Sequence, residues 1–153
     1  MKIKIRKAKL EELKKIVNVT SKAFDDPFDP KGYIRKDKEY YKDLVAPFKD
    51  KKFGIFVAVY NDKIIGVQRF EFIKNNINLF RLGVLKSFRN KGVAPALIKR
   101  TESEGKKKNC KKITLMCIEE KGLTPYYKKI GFRVDKIKKH RDHHDVFMSK
   151  SIN

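Results

Sequence analysis

Residues 89 to 94 read Arg89-Asn90-Lys91-Gly92-Val93-Ala94, a basic turn with one glycine. The turn follows an alternating apolar run, Ile77 to Leu85, and precedes a helical pattern carrying Val93, Ala96, Leu97, Arg100 and Thr101 on roughly one side. The chemistry such a turn offers is anion binding. The first backbone N–H groups of a helix have no internal partner, and the helix dipole adds partial positive charge at the same end. Gly92 lets the backbone approach a ligand closely and Ala94 adds almost no bulk, so the stretch reads as a pyrophosphate site. Neither a G-x-G-x-x-G fingerprint nor a G-x-x-x-x-G-K-[ST] loop occurs in the chain, which sets it apart from the two commonest phosphate-binding motifs.

A second group of reactive side chains is His140-Arg141-Asp142-His143-His144-Asp145. Imidazoles and carboxylates together are the ligand types of zinc and nickel. The segment reads as the turn between the last two strands, and adjacent His143 and His144 point to opposite faces of any strand. No metal centre is therefore expected, and a substrate-side role for one histidine is preferred. Cys110 and Cys117 form neither a C-x-x-C pair nor a disulfide framework.

The elements that must position these residues follow from periodicity. Residues 2–8 alternate as a strand, and 9–23 carry Leu10, Leu13, Ile16, Val17 and Thr20 at helical spacing. Asp25-Asp26-Pro27-Phe28-Asp29-Pro30 reads as a loop. A second helix is expected within 32–48, with Tyr33, Tyr40, Tyr41, Leu44 and Val45 as its apolar positions. Residues 53–60 are apolar on both faces, which marks a central strand. Strands at 64–73 and 77–85 complete an antiparallel meander. After the basic turn and its helix, the strand at 111–118 is reached by a crossover and should run parallel to the one before the turn. A short helix at 123–130 and strands near 132–138 and 144–150 close the pattern. The expected fold is a mixed α/β domain over residues 1–153, with a mostly antiparallel central sheet flanked by helices and one parallel strand–helix–strand crossover.

Four stretches in this order resemble the GCN5-related N-acetyltransferase (GNAT) family. Arg89 to Ala94 is close to its R/Q-x-x-G-x-G/A signature, and Tyr127-Lys128-Lys129-Ile130-Gly131-Phe132 is similar to its Y-x-K-x-G-F motif. Ile5-Arg6-Lys7-Ala8 with the helix after it resembles the family's opening strand and helix, and Asn61-Asp62-Lys63-Ile64-Ile65-Gly66 its second hairpin. The resemblance spans nearly the whole chain. It implies that the two parallel strands splay and that the pantetheine arm of acetyl-CoA lies between them, against the backbone of Leu82, Gly83 and Val84. It also implies pyrophosphate contacts from Arg89, Asn90, Lys91, Gly92, Val93 and Ala94. Tyr127 matches the family position whose hydroxyl protonates the leaving thiolate; a phenol (pKa about 10) and a thiol (about 8.5) are close enough for that exchange.

Moving acetyl to an amine requires a neutral amine and donors for the developing oxyanion. Many relatives place a Glu on the strand before the basic turn, whereas residues 77–85 contain no carboxylate. Glu71, Glu119 and Glu120 are the nearest candidates, and the base is left unassigned. Lys86 stands where many relatives carry proline, and Glu120 lies near the position of a cofactor-contacting Asn.

The chain has 153 residues, 41% of them hydrophobic, with 39 Lys+Arg against 18 Asp+Glu for a formal charge of +21. No run approaches the ~20 apolar residues of a membrane span, and the N-terminus lacks the apolar core of a signal peptide. A cytoplasmic monomer or homodimer is expected. The basic residues are scattered and mostly lysine, which favours a solvated surface over a nucleic-acid interface, and the excess charge should steer a polyanionic donor or acidic substrate inward. The reading is an acetyl-CoA-dependent N-acetyltransferase with an unidentified primary-amine acceptor, either a small molecule or a peptide N-terminus or lysine. The alternatives are an acyltransferase for RNA-bound amines such as aminoacyl-tRNA, and a non-catalytic acetyl-CoA- or nucleic-acid-binding module.

Overall fold

Ile55 and Val57 are buried against one layer of helices while Phe56 and Ala58, on the same strand, are buried against another. Burial on both faces makes this strand part of the middle of a three-layer arrangement. The computed structural model describes residues 1–24 and 40–153. The expected acidic loop with Asp25, Asp26 and Asp29, and the expected helical positions before Tyr40, lie outside the described residues.

In chain order the elements are β1 (Lys4–Lys7), α1 (Leu13–Ala23), α2 (Tyr41–Lys49), β2 (Gly54–Tyr60), β3 (Lys63–Ile73), β4 (Asn76–Val84), α3 (Val93–Lys107), β5 (Lys112–Ile118), α4 (Thr124–Lys129), β6 (Arg133–His140) and β7 (His143–Ser151). One sheet runs β1-β2-β3-β4-β5-β7-β6. All neighbours are antiparallel except β4 and β5. The mixed sheet and its single parallel crossover are therefore as the periodicity predicts. Insertion of β7 between β5 and β6 is a feature the pattern of strands does not reveal.

Leu13, Ile16 and Val19 of α1 pack with Leu44 of α2 on Ile55, Val57 and Val67. Val93, Leu97 and Ile98 of α3 cover Phe56, Ala58, Ile65 and Ile77 on the opposite face, joined by Tyr127 and Phe132. Burying a side chain of this size contributes about 1.5–3 kcal/mol, so the two apolar layers fix where every strand end falls. The β2–β3 turn uses Asn61 and Asp62 at φ 49° and 61°, the left-handed pair that a two-residue hairpin requires and that Asn and Asp tolerate.

One expectation is corrected. The histidine-rich segment is not a broad turn: Arg141 (φ 59°) and Asp142 alone make it, and His140, His143 and His144 all lie in strands. A two-residue reversal lets β6 and β7 pair up to His140 and His143. Among the described residues no helix is long and apolar enough to cross a membrane.

Candidate active site

β4 and β5 share only three rungs: Asn76 with Lys112, Ile77 with Ile113, and Asn78 with Thr114. The last rung is reinforced by a 2.8 Å hydrogen bond from Thr114 Oγ1 to Asn78 Oδ1. Beyond it β4 continues to Val84 and β5 to Ile118 without pairing to each other. The cause lies in β4. Its register against β3 shifts between Val67 and Arg69, where Arg81 takes φ 52°, and an extra residue of this kind bends its strand and ends local pairing. The result is a fork whose inner edges carry backbone groups with no strand between them. Leu82, Gly83 and Val84 lie on the β4 arm.

Each side chain on that arm has a packing role as well. Leu82 and Val84 lean into the α3-side core. Gly83 faces α1, and a Cβ there would sit 2.8 Å from Ala23 Cβ. The glycine is thus required by the close approach of α1.

The basic turn sits at the open end of the β4 arm. Gly66 pairs with Val84, and Val93 Cγ1 lies 2.9 Å from where a Gly66 Cβ would be. Asn90 (φ 61°) and Gly92 (φ 85°) both take left-handed conformations. A Cβ on Gly92 would meet nothing within 4 Å, so the turn is open above it. The first intrahelical bond of α3 runs from Ala96 N–H to Gly92 C=O at 3.2 Å. The N–H groups of Val93 and Ala94 precede it, and Pro95 has none to leave unsatisfied.

Arg89 behaves differently from the residues it leads. Its Nε donates to Val84 C=O at 3.0 Å and its Nη2 to Ala23 C=O at 2.8 Å. The guanidinium braces β4 and α1 behind the turn. A tilted contact of Phe88 with Tyr60 (centroids 5.8 Å apart) holds the preceding one-turn helix Lys86–Phe88 to the sheet. The helix behind the turn is pinned as well. Lys7 pairs with Glu104 at 3.1 Å and Lys150 with Glu102 at 2.9 Å, and buried Gln68 donates to buried Thr101.

Tyr127 enters from the β5 arm. α4 follows β5 after one short turn, and Thr124 Oγ1 touches Cys117 Sγ at 3.7 Å. Tyr127 is buried, edge-on to Phe132 and to Tyr126. Burial, with smaller contributions from Cys117 and Tyr126, pushes its phenol well above the ordinary value. Burial likewise raises the Cys117 thiol. Burial thus favours the neutral, proton-bearing form of Tyr127.

The carboxylate candidates separate clearly. Glu71 pairs with Asn78 at the closed end of the fork. Glu120 accepts hydrogen bonds from the His144 N–H at 2.8 Å and pairs with His144 Nδ1 at 2.6 Å, which holds its carboxyl down at about 2. Glu119 leads the short turn Glu119–Lys121 at the end of β5. Opposite facing of His143 and His144 is as the strand geometry predicts: His144 meets Glu120, and His143 meets Asp145 on the other side.

Residues 29–150 match the acetyltransferase (GNAT) domain family. The chain belongs to the GNAT acetyltransferases. No protein of curated function matches its sequence. Among solved GNAT-like structures, the PaiA N-acetyltransferase of Thermoplasma acidophilum, in complex with coenzyme A, superposes with a TM-score of 0.82 at 21% identity, covering 99% of both chains. The ribosomal-protein alanine N-acetyltransferase of Escherichia coli gives 0.81 at 15% identity, over 99% of this chain and 95% of that one. A spermidine N-acetyltransferase chimera from Vibrio cholerae and hSSAT gives 0.74 at 17% identity, over 99% and 96%. At these identities the likeness concerns the fold, and the fold it concerns is the GNAT sheet with its β4–β5 crossover.

Proposed function

We propose that this GNAT chain, acting as one domain over residues 1–153, transfers an acetyl group from acetyl-CoA directly to a primary amine. The observation that supports this best is the coincidence of two features at one end of the sheet. An unpaired fork offers strand edges to an amide-bearing arm, and an open left-handed turn at the start of α3 offers free N–H groups to a pyrophosphate. One of the structural neighbours carries coenzyme A on the same fold.

Acetyl-CoA supplies an activated thioester carbonyl. In the reaction a C–N bond forms, the C–S bond breaks, and the amine proton leaves to water or a base. On this reading the backbone of Leu82 to Val84 orients the arm and residues 89–94 hold the diphosphate. Tyr127, kept neutral by burial, holds a proton for the departing sulfur and regains it from solvent. Burial raises this phenol away from the thiol's ordinary value, so on this reading the proton moves only as negative charge develops on the departing sulfur. Glu120 is committed to His144, so the amine proton is assigned to ordered water. The neighbours include enzymes named for a ribosomal-protein alanine and for spermidine, and the acceptor here is proposed only as a primary amine.

The test is calorimetric titration of acetyl-CoA into wild type and Tyr127→Phe, followed by thiol release across a panel of amines. Equal one-site binding by both, with turnover about a hundredfold lower in the variant, is expected. Binding without turnover on any amine, or turnover unchanged by Tyr127→Phe, would overturn the catalytic assignment. Turnover that appears only with charged tRNA and falls steeply with salt would move the acceptor to RNA-bound amines.

A further inference from the structure

We propose that His140, His143 and Asp145 form a binding site for a first-row divalent transition ion of the zinc type, at the tip of the β6–β7 hairpin. The site follows from strand register. His140 is directly cross-strand from His143, so both imidazoles leave the same face of the ribbon, and Asp145 lies two residues along β7 on that face. Considering residues along one strand alone misses this, because His143 and His144 do diverge; the second imidazole comes from the other strand.

The donor atoms lie within 4.8 Å of one another. His143 Nε2 is 3.4 Å from Asp145 Oδ1, and His140 Nδ1 is 4.0 Å from Asp145 Oδ2. Those separations exceed the 2.7–3.2 Å of an N–H···O hydrogen bond. The first matches the ~3.4 Å that separates neighbouring donors around a tetrahedral ion with bonds near 2.0–2.1 Å, and the second closes to it when the exposed His140 ring turns inward. The rings of His140 and His143 stand edge to face at 5.0 Å.

Burial is graded in a way that suits capture. The side chains of His143 and Asp145 are 3% and 18% exposed, and that of His140 is 59% exposed. Two donors are held in place and the third can swing in from solvent. Lys138 is the cross-strand partner of Asp145, and Arg141 and Lys139 lie nearby in the hairpin, so a hard ion that relies on summed negative charge would find little here. Imidazole affinity favours zinc, copper, nickel or cobalt over calcium or magnesium. The protein's long-range positive field is screened within about 8 Å at physiological salt. Three protein donors leave one tetrahedral position for water. Asp145 also pairs with Ile118, the last residue of β5, which places the ion beside the open end of the fork. It lies on the face opposite His144, Val146 and Met148.

The probe is CoCl2, titrated into full-length protein stripped with chelator and followed by visible d–d absorption. The variants are His140→Ala, Asp145→Asn and, as the opposite-face control, His144→Ala, with circular dichroism confirming that each is folded. The expected result is a saturating tetrahedral spectrum at one equivalent. Affinity should be at least about tenfold weaker in the first two variants and unchanged in the third, with Zn2+ displacing the spectrum. No saturable spectrum, equal affinity in His140→Ala, or equal loss in His144→Ala would overturn the proposal.

Discussion

Arg89 and Ala23, 66 positions apart in the chain, are joined by a 2.8 Å hydrogen bond from guanidinium to carbonyl. The same side chain reaches Val84 C=O. The first residue of the basic signature therefore links the C-terminus of α1, the end of β4 and the turn that starts α3. A cation at the last carbonyls of a helix also complements its dipole.

Replacing Arg89 with alanine should accordingly lower stability by about 1.5–3 kcal/mol, the range for hydrogen bonds from a charged donor. Arg89→Lys should recover less than half, since one ammonium cannot span both carbonyls in the same planar geometry. Urea unfolding measures the loss. An unchanged midpoint with lost acetyl-CoA affinity would instead place the guanidinium on the ligand.

Gly92→Ala isolates the turn. At φ 85° a Cβ costs about 1–2 kcal/mol, and nothing nearby would clash with it. Gly122→Ala carries the same backbone strain (φ 75°) with equally open surroundings. Both should be destabilised alike, but only Gly92→Ala should weaken coenzyme A binding, by roughly tenfold or 1.4 kcal/mol. Equal affinities by calorimetry would remove the pyrophosphate from this turn.

Acid should expose the clamp at the N-terminal strand. Arg6 makes two hydrogen bonds to Glu12, at 2.9 and 2.8 Å, and the Lys9 N–H adds a third at 2.8 Å. The Arg6 hydrogen bond chiefly, with help from Lys9, lowers the Glu12 carboxyl to about 2 against the opposing effect of burial. A carboxyl lowered on folding stabilises above its unfolded value, about 4.3, and that stability is lost as pH falls from there through about 2. The pair is partly solvated, so about 1–2 kcal/mol is expected. Wild type should exceed Glu12→Gln by that amount at pH 7, and the gap should narrow by pH 3 in parallel urea titrations.

A buried polar tie sets the seat of α3. Gln68 and Thr101 are both fully buried; the amide donates to the hydroxyl, which donates to Leu97 C=O at 3.0 Å. Thr101→Val should cost about 1–3 kcal/mol by stranding the Gln68 amide. Adding Gln68→Leu should restore part of that loss. A double variant whose loss is the plain sum of the two single losses would show that the groups act independently.

The strands, the crossover and the basic turn were legible because each leaves a periodic or compositional trace. The unbroken apolar run Ile55 to Ala58 announces two buried faces, and Gly92 before Val93 announces a helix start. The bend at Arg81 leaves no such trace: arginine seldom adopts φ 52°, and only the competing demands of β3 and the fork place it there. The inward turn of Arg89 was hidden for a related reason, since its acceptors are backbone carbonyls, which every residue carries. Tyr127 was found by motif, but its burial beside Cys117 depends on how α4 folds back on β5. The meeting of His140 with His143 needed the register of a hairpin whose turn the composition made look longer than two residues.

Among the described residues, three strand rungs, one flanking backbone bond from Lys111 N–H to Asn75 C=O and the Thr114–Asn78 bond stitch the first four strands to the last three. A sheet this wide, with so short a seam, behaves as two leaves on a common spine, with α3 laid across the spine and tied by Glu104 to β1 and by Glu102 to β7. Whatever occupies the fork touches both leaves at once. On the proposed reading, a donor bound there would complete the weave as well as present a reactive carbonyl, so filling the site would also stiffen the molecule.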